Sequence, residues 1–178
     1  MGKKIRFITE TAVMLALLIA LQTLTKPMGQ LVTGSCVNTV LAVTVLVVGV
    51  YSGITVAVIS PVLAYLLGIA PQILTVPAIM VGNAVFVLVL HFISDKNIVR
   101  KILAWIVAAA AKFAALYGIV VWLICGVLAE KLLASGALKA PMLKALPVSF
   151  GVTQLFTALI GGAVALLIAP TLRKALRK

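Results

Sequence analysis

Lys112 is the residue least at home in its surroundings, a lysine inside an apolar run that extends from Ile102 to about Ala129. It lies eleven residues beyond Lys101, which is roughly 16 Å along a helix that rises 1.5 Å per residue. A charge that deep in a bilayer costs a few kcal/mol, so the position calls for a physical reason. Positions 105, 108, 109, 112, 115, 116 and 119 share one helical face, which groups Trp105, Ala108, Ala109, Lys112, Ala115, Leu116 and Ile119. The three alanines beside the lysine leave space for a ligand or for another helix. A side chain that snorkels, or that donates to the carbonyls of a neighbouring helix, accounts for the same lysine without a ligand. At the level of sequence both readings stand.

Other chemistries are discounted by what is missing. The acids are only three, Glu10, Asp95 and Glu130, all near the ends of apolar runs, and His91 is the single histidine. No carboxylate pair, Ser-His-Asp set or His-Glu-x-x-His zinc motif can be assembled, and no Gly-rich loop ends in the Lys-Ser/Thr of a nucleotide-binding loop. The expectation is a non-enzyme that neither hydrolyses ATP nor holds a metal or cofactor. Coupling to protons or sodium through buried carboxylates is disfavoured for the same reason. His91 reads as an interface residue. Cys36 and Cys125 stand 89 positions apart without redox or metal spacing, and read as two small buried residues.

The elements that must position Lys112 are membrane helices. Of 178 residues, 64% are hydrophobic and only 10% charged, with a mean hydropathy of +1.30, against roughly 25% charged residues in a soluble domain. That excludes a soluble enzyme, a disordered chain and a nucleic-acid-binding domain. The net charge of +12 comes from basic residues beside apolar spans, where they orient a membrane protein. No cleavable signal peptide is evident, and the first span reads as a retained helix.

A bilayer core needs about 20 helical residues. From Pro27 to Ser94 there is no Lys, Arg, Asp or Glu, a stretch that suits three helices with breaks where Gly, Ser and Pro gather. The expected fold is all-α, one domain over 1–178 with six transmembrane helices near 7–25, 37–51, 53–70, 73–93, 102–129 and 148–169. Lys26 to Cys36 reads as a loop, with breaks at Tyr51-Ser52-Gly53 and Gly68 to Gln72 and a polar turn at Ser94-Asp95-Lys96-Asn97. Glu130 to Pro147, interrupted by Gly136, Pro141 and Pro147, reads as a short helix or folded loop on the membrane surface. The N-terminus, the fourth connection and the tail that ends in Arg173, Lys174, Arg177 and Lys178 hold ten basic residues, against four on the other side. Both termini are therefore expected in the cytoplasm.

With that orientation Gln22, Gln30, Asn38, Gln72 and Gln154 fall in the outer half, and Asn83 lies deeper in the fourth span. Singly each serves as interhelical glue. Together they suggest an outward-facing polar pocket with a positive floor at Lys112, suited to a small, partly polar, anionic molecule. Small residues recur every four positions at Ala12, Ala16 and Ala20, and again at Gly49, Gly53 and Ala57, with Ala64 and Gly68 continuing. Such stripes let helix backbones approach closely in lipid. The first of them serves internal packing or a partner protein equally well.

The chain resembles the S components of energy-coupling factor transporters, small six-helix membrane proteins that capture vitamins and related micronutrients. The first helix, Thr11-Ala12-x-x-x-Ala16-x-x-x-Ala20, is similar to the family's small-residue docking motif. The turn Val48-Gly49-Val50-Tyr51-Ser52-Gly53, leading to Ser60-Pro61-Val62-Leu63-Ala64, is similar to its second and third spans, and Val76-Pro77-Ala78-Ile79-Met80-Val81-Gly82-Asn83-Ala84 to its fourth. The resemblance implies a multi-pass protein of a prokaryotic plasma membrane that takes substrate from outside, with the loop from Lys26 to Cys36 closing over the pocket. It implies association with a transmembrane coupling subunit and two ATPase subunits that use the ATP, and toppling within the membrane to release substrate inward. Ala12, Ala16 and Ala20 would serve docking, and Gln30, Asn38, Gln72, Asn83, Lys112 and Gln154 the pocket. The vitamin itself does not follow, although the few aromatics, 6% of residues, disfavour a large planar flavin. Two other readings remain: a self-sufficient carrier or channel acting as a homo-oligomer, and a membrane scaffold without a ligand.

Overall fold

The computed structural model describes residues 2–70, 72–94 and 97–176. Pro71, the Asp95-Lys96 pair expected in a turn, and Arg177 and Lys178 of the basic tail lie outside them. Every regular element among the described residues is helical. In chain order these are α1 (Lys3–Thr25), α2 (Gln30–Val43), α3 (Val50–Leu66), α4 (Val76–Ile93), α5 (Ile98–Leu116), α6 (Ala129–Ala134), α7 (Ala140–Phe150) and α8 (Val152–Leu176). A π-helical segment, Thr44–Val48, extends α2, and a longer one, Tyr117–Val127, extends α5. Five of the resulting helical stretches are long and apolar enough to cross a membrane: Lys4–Met28, Gln30–Val48, Ile73–Ile93, Ile98–Val127 and Ala140–Leu176.

Two segments differ from the expectation. Lys26 to Cys36 is mostly helix: a short 3-10 turn at Lys26–Met28 and Gly29, at φ +88°, connect α1 to an α2 that begins at Gln30 rather than near 37. Its Gly, Ser and Thr read as loop residues by water-soluble standards, yet in an apolar bundle small residues serve close helix contact. The next break falls at Gly49, whose φ of +135° is open to glycine and strained for other residues. Tyr51, Ser52 and Gly53 sit inside α3.

Two apolar clusters hold the bundle together. The larger joins α1 to α5 and α8 through residues such as Leu18, Leu41, Val56, Phe86, Ala108 and Ala158. The smaller gathers Ala78, Leu116, Val120, Leu138, Leu146 and Phe150. The second of these explains α7. Leu143, Leu146 and Phe150 recur at helical spacing, and that face packs back onto the end of α5. The segment expected on the membrane surface thus forms α6, a turn and α7, which folds over one end of the bundle.

Glycines set the tightest helix contacts. A Cβ on Gly161 of α8 would lie 2.6 Å from both Asn38 Cβ and the Ser35 carbonyl oxygen of α2, and one on Gly34 of α2 would lie 2.8 Å from Thr157 Cγ2 of α8. Gly82 of α4 faces Leu116 of α5, whose Cγ would be 2.7 Å from such an atom. These contacts bring α2 against α8 and α4 against α5, the four helices that carry the deepest polar groups.

Candidate functional site

The polar groups converge at the end of the bundle opposite the chain termini. There a cavity of about 270 Å³ opens between α1, α2, α4, α5, α7 and the start of α8. Its size approaches the lower range for small-molecule pockets, about 300 Å³ and upward. Gln30, Asn38, Asn83, Lys112 and Gln154, all singled out from sequence, line it. Gln72 does not. It stands beside the wall, where its Nε2 donates to Met142 Sδ at 3.2 Å, and it is Met142 that lines the cavity.

Lys112 forms the floor. Only 2% of its surface is exposed, and its Nζ donates to Asn38 Oδ1 at 2.5 Å and to Asn83 Oδ1 at 2.6 Å. The close approach of α5 to α4 at Gly82 sets the lysine beside the neighbouring Asn83. Phe86, one turn further along α4, offers its ring face 5.6 Å from the ammonium. Neither snorkelling nor donation to main-chain carbonyls describes this lysine: both acceptors are side-chain amides, and both belong to other helices.

From Asn38 the hydrogen bonds continue into α8. Its Nδ2 donates to Thr157 Oγ1 at 3.2 Å, and Thr157 Oγ1 in turn donates to the Gln154 carbonyl at 3.0 Å. Gln154 Nε2 donates to the Ser149 carbonyl at 3.0 Å, which ties the start of α8 to α7. The network therefore runs from α4 through α5 and α2 to α8 and α7. Buried networks of this kind hold helices in one arrangement when every member is satisfied. Here one member is not: Asn83 Nδ2 is buried without a partner. Outside the network, Gln22 Oε1 of α1 is buried without one as well, and both residues line the cavity.

The mouth is held by Lys26. Its Nζ donates to the Gly68 carbonyl at 2.6 Å and so clasps the α1–α2 turn to the α3–α4 connection, with Ile69 and Ala70 alongside in the wall. Thr33 Oγ1 donates to the Thr25 carbonyl at 2.8 Å and steadies the same turn. Gln22, whose polarity already grouped it with the pocket residues in the sequence, also lines the wall, as do Lys26 and the α7 residues Met142, Ser149 and Phe150, which residue type alone did not mark. The depth of Gln22 in α1 and the helical spacing in α7 were the available signals.

Among the described residues no carboxylate lines the cavity. Glu10 pairs with Arg6 at 2.8 Å on the exposed side of α1, and Glu130 sits in α6. A buried ammonium without a counter-ion inside an apolar bundle is electrostatically incomplete. The arrangement can bind and orient a small polar or anionic molecule, and it presents no nucleophile–base pair.

The remaining candidates lie elsewhere. Ala12, Ala16 and Ala20 are exposed along α1, while Leu18 and Thr11 of that helix turn inward, Thr11 Oγ1 lying 2.8 Å from Ser52 Oγ. Cys36 and Cys125 are free thiols and half-buried rather than enclosed. His91 is exposed against Phe92. No protein-family model, curated protein or solved structure matches the chain.

Proposed function

We propose that this chain is the substrate-capture component of an energy-coupling-factor-type importer, binding a vitamin or related small micronutrient in the cavity above Lys112. The observation that carries the reading is the cavity itself: a polar, positively floored chamber inside an apolar helical bundle, covered by α7 and clasped by Lys26. A scaffold has no use for amides and a lysine buried around a cavity, which lower stability unless they are satisfied.

In the proposed topology the bundle crosses the plasma membrane of a prokaryotic cell six times. The sixth crossing is α3, whose 17 residues span about 25 Å. Both termini are cytoplasmic, consistent with the excess of basic residues at that end, and the cavity opens outward. The exposed Ala12, Ala16 and Ala20 stripe docks on a transmembrane coupling subunit, and two ATPase subunits supply the ATP hydrolysis. The chain itself is not an enzyme and carries no cofactor.

Affinity purification of the full-length chain from its own membranes in mild detergent tests this. A polytopic coupling subunit and two ATPases are expected to co-purify, and uptake is expected to require ATP hydrolysis. Substrate accumulation in vesicles that contain this chain alone would instead establish a self-sufficient carrier.

A further inference from the structure

Two unpartnered atoms on cavity residues and the missing counter-ion together narrow what the cavity takes. The Lys112 ammonium has three N–H bonds, and Asn38 and Asn83 accept two of them. Asn83 uses its Oδ1 for the lysine, so its Nδ2, on the same carboxamide, is a second donor beside the ammonium, buried and without an acceptor. One cation and one neutral donor side by side match the two oxygens of a carboxylate.

The charge balance selects the same group. The floor has one ammonium, and the other lysine of the wall, Lys26, lies at the mouth and donates to the Gly68 carbonyl. A monoanion neutralises that floor. A phosphate monoester brings up to two charges to a floor with one ammonium, and leaves the surplus charge desolvated. Gln22 Oε1 is the converse case, a buried acceptor on α1 that no group satisfies. An N–H or O–H on the ligand would satisfy it. Between these polar groups the wall is apolar, with Leu116, Leu146 and Phe150 facing the space.

We infer that the cavity binds a small monocarboxylate, its carboxylate held by Lys112 and Asn83 and a hydrogen-bond donor elsewhere on the molecule directed to Gln22. The inference rests on the capture reading given above and specifies its ligand class.

Matched probes test it on the full-length protein in detergent by thermal shift and isothermal titration: nicotinate against nicotinamide, pantothenate against pantothenol, and pyridoxal phosphate against pyridoxal. A carboxylate is expected to raise the melting temperature where its neutral counterpart does not. Lys112→Met is expected to weaken that carboxylate at least tenfold, Asn83→Leu several-fold, and Lys112→Arg is expected to retain the preference. Lys112→Met removes a buried charge while its amide partners remain neutral, so it is expected to keep the wild-type gel-filtration profile. The Asn83 and Lys112→Arg variants decide the matter if it does not. Binding of a neutral or phosphorylated probe in preference to every carboxylate overturns the monocarboxylate and leaves the capture reading standing, as does carboxylate binding that survives Lys112→Met unchanged. No response to any probe overturns both.

Discussion

Gly161→Ala is the sharpest test of how the bundle builds its site. The added Cβ would stand 2.6 Å from the Ser35 carbonyl oxygen and 2.8 Å from the Thr39 nitrogen of α2, where ordinary contact begins at 3.4 Å. Both atoms are backbone, so no rotamer change relieves the overlap and α8 must withdraw from α2 by about 0.8 Å in a tightly packed interior. The Asn38 Nδ2 to Thr157 Oγ1 bond, 3.2 Å long, then stretches to about 4 Å, outside hydrogen-bonding range. Overpacking of this kind costs about 1–3 kcal/mol, and the broken buried bond adds about 1 kcal/mol. Thermal unfolding in detergent, followed by intrinsic fluorescence, is expected to show a melting temperature several degrees below wild type. Gly118→Ala is the control: nothing lies within 4 Å of its Cβ, and alanine favours a helical backbone over glycine by up to about 1 kcal/mol, so that variant should match or exceed wild type. A Gly161→Ala protein as stable as the Gly118→Ala protein would refute the close α2–α8 contact and the placement of Asn38 that depends on it.

Other perturbations separate the mouth, the proposed docking face and the proposed topology. Lys26→Ala removes the clasp to Gly68 and is expected to speed ligand dissociation several-fold with little change in melting temperature, as read by stopped-flow release; an unchanged off-rate would place the gate elsewhere. Ala16→Trp puts a bulky side chain on the exposed stripe of α1 and should abolish co-purification of the coupling module while leaving ligand binding intact. Arg173 donates to the Leu46 carbonyl through Nε at 2.8 Å and also through Nη2, capping the π-helical end of α2. A hydrogen bond from a charged donor contributes about 1.5–3 kcal/mol, and partial solvent screening at this site lowers that, so Arg173→Met should cost on the order of 1 kcal/mol, visible as a modest drop in melting temperature. A cysteine introduced at the exposed Ala137, in a chain whose two native cysteines are replaced, should react with a membrane-impermeant maleimide in intact cells, and one added after the tail should not; the reverse pattern would invert the topology.

Lys112 and Asn83 are legible as deep polar residues because burying either in an apolar helix has a large energetic penalty, and Asn38 as a member of the same pocket. The direct hydrogen bonds that join the three are not. Asn38 and Thr157 are 119 residues apart in the chain, and their contact depends on the crossing of α2 and α8, which Gly34 and Gly161 set. Periodic small residues stand out along α1 and α3, whereas the close approach rests on Gly34 and on Gly161, the latter in an equally periodic series with Ala165 and Ala169 of α8. The segment from Lys26 to Cys36 reads as a loop yet folds mostly as helix, because Gly, Ser and Thr signify turns in water but close packing in an apolar bundle. Proline breaks at 141 and 147 concealed the helical spacing of Leu143, Leu146 and Phe150, so the cover of the cavity could be seen only once its packing against Leu116 and Val120 was known. Gln72 shared the polarity and depth of the wall residues yet turned toward Met142, a distinction of a few ångströms that residue type does not encode.

Native mass spectrometry of the protein extracted from its own membranes tests the capture account most directly. The account predicts a stoichiometric small-molecule adduct, distinct from lipid, that Asn83→Leu diminishes and a substitution on the exposed face of α1 leaves intact. A wild-type spectrum of bare protein and lipid adducts alone would contradict it, and an adduct indifferent to Asn83 would place the ligand away from the floor of the cavity.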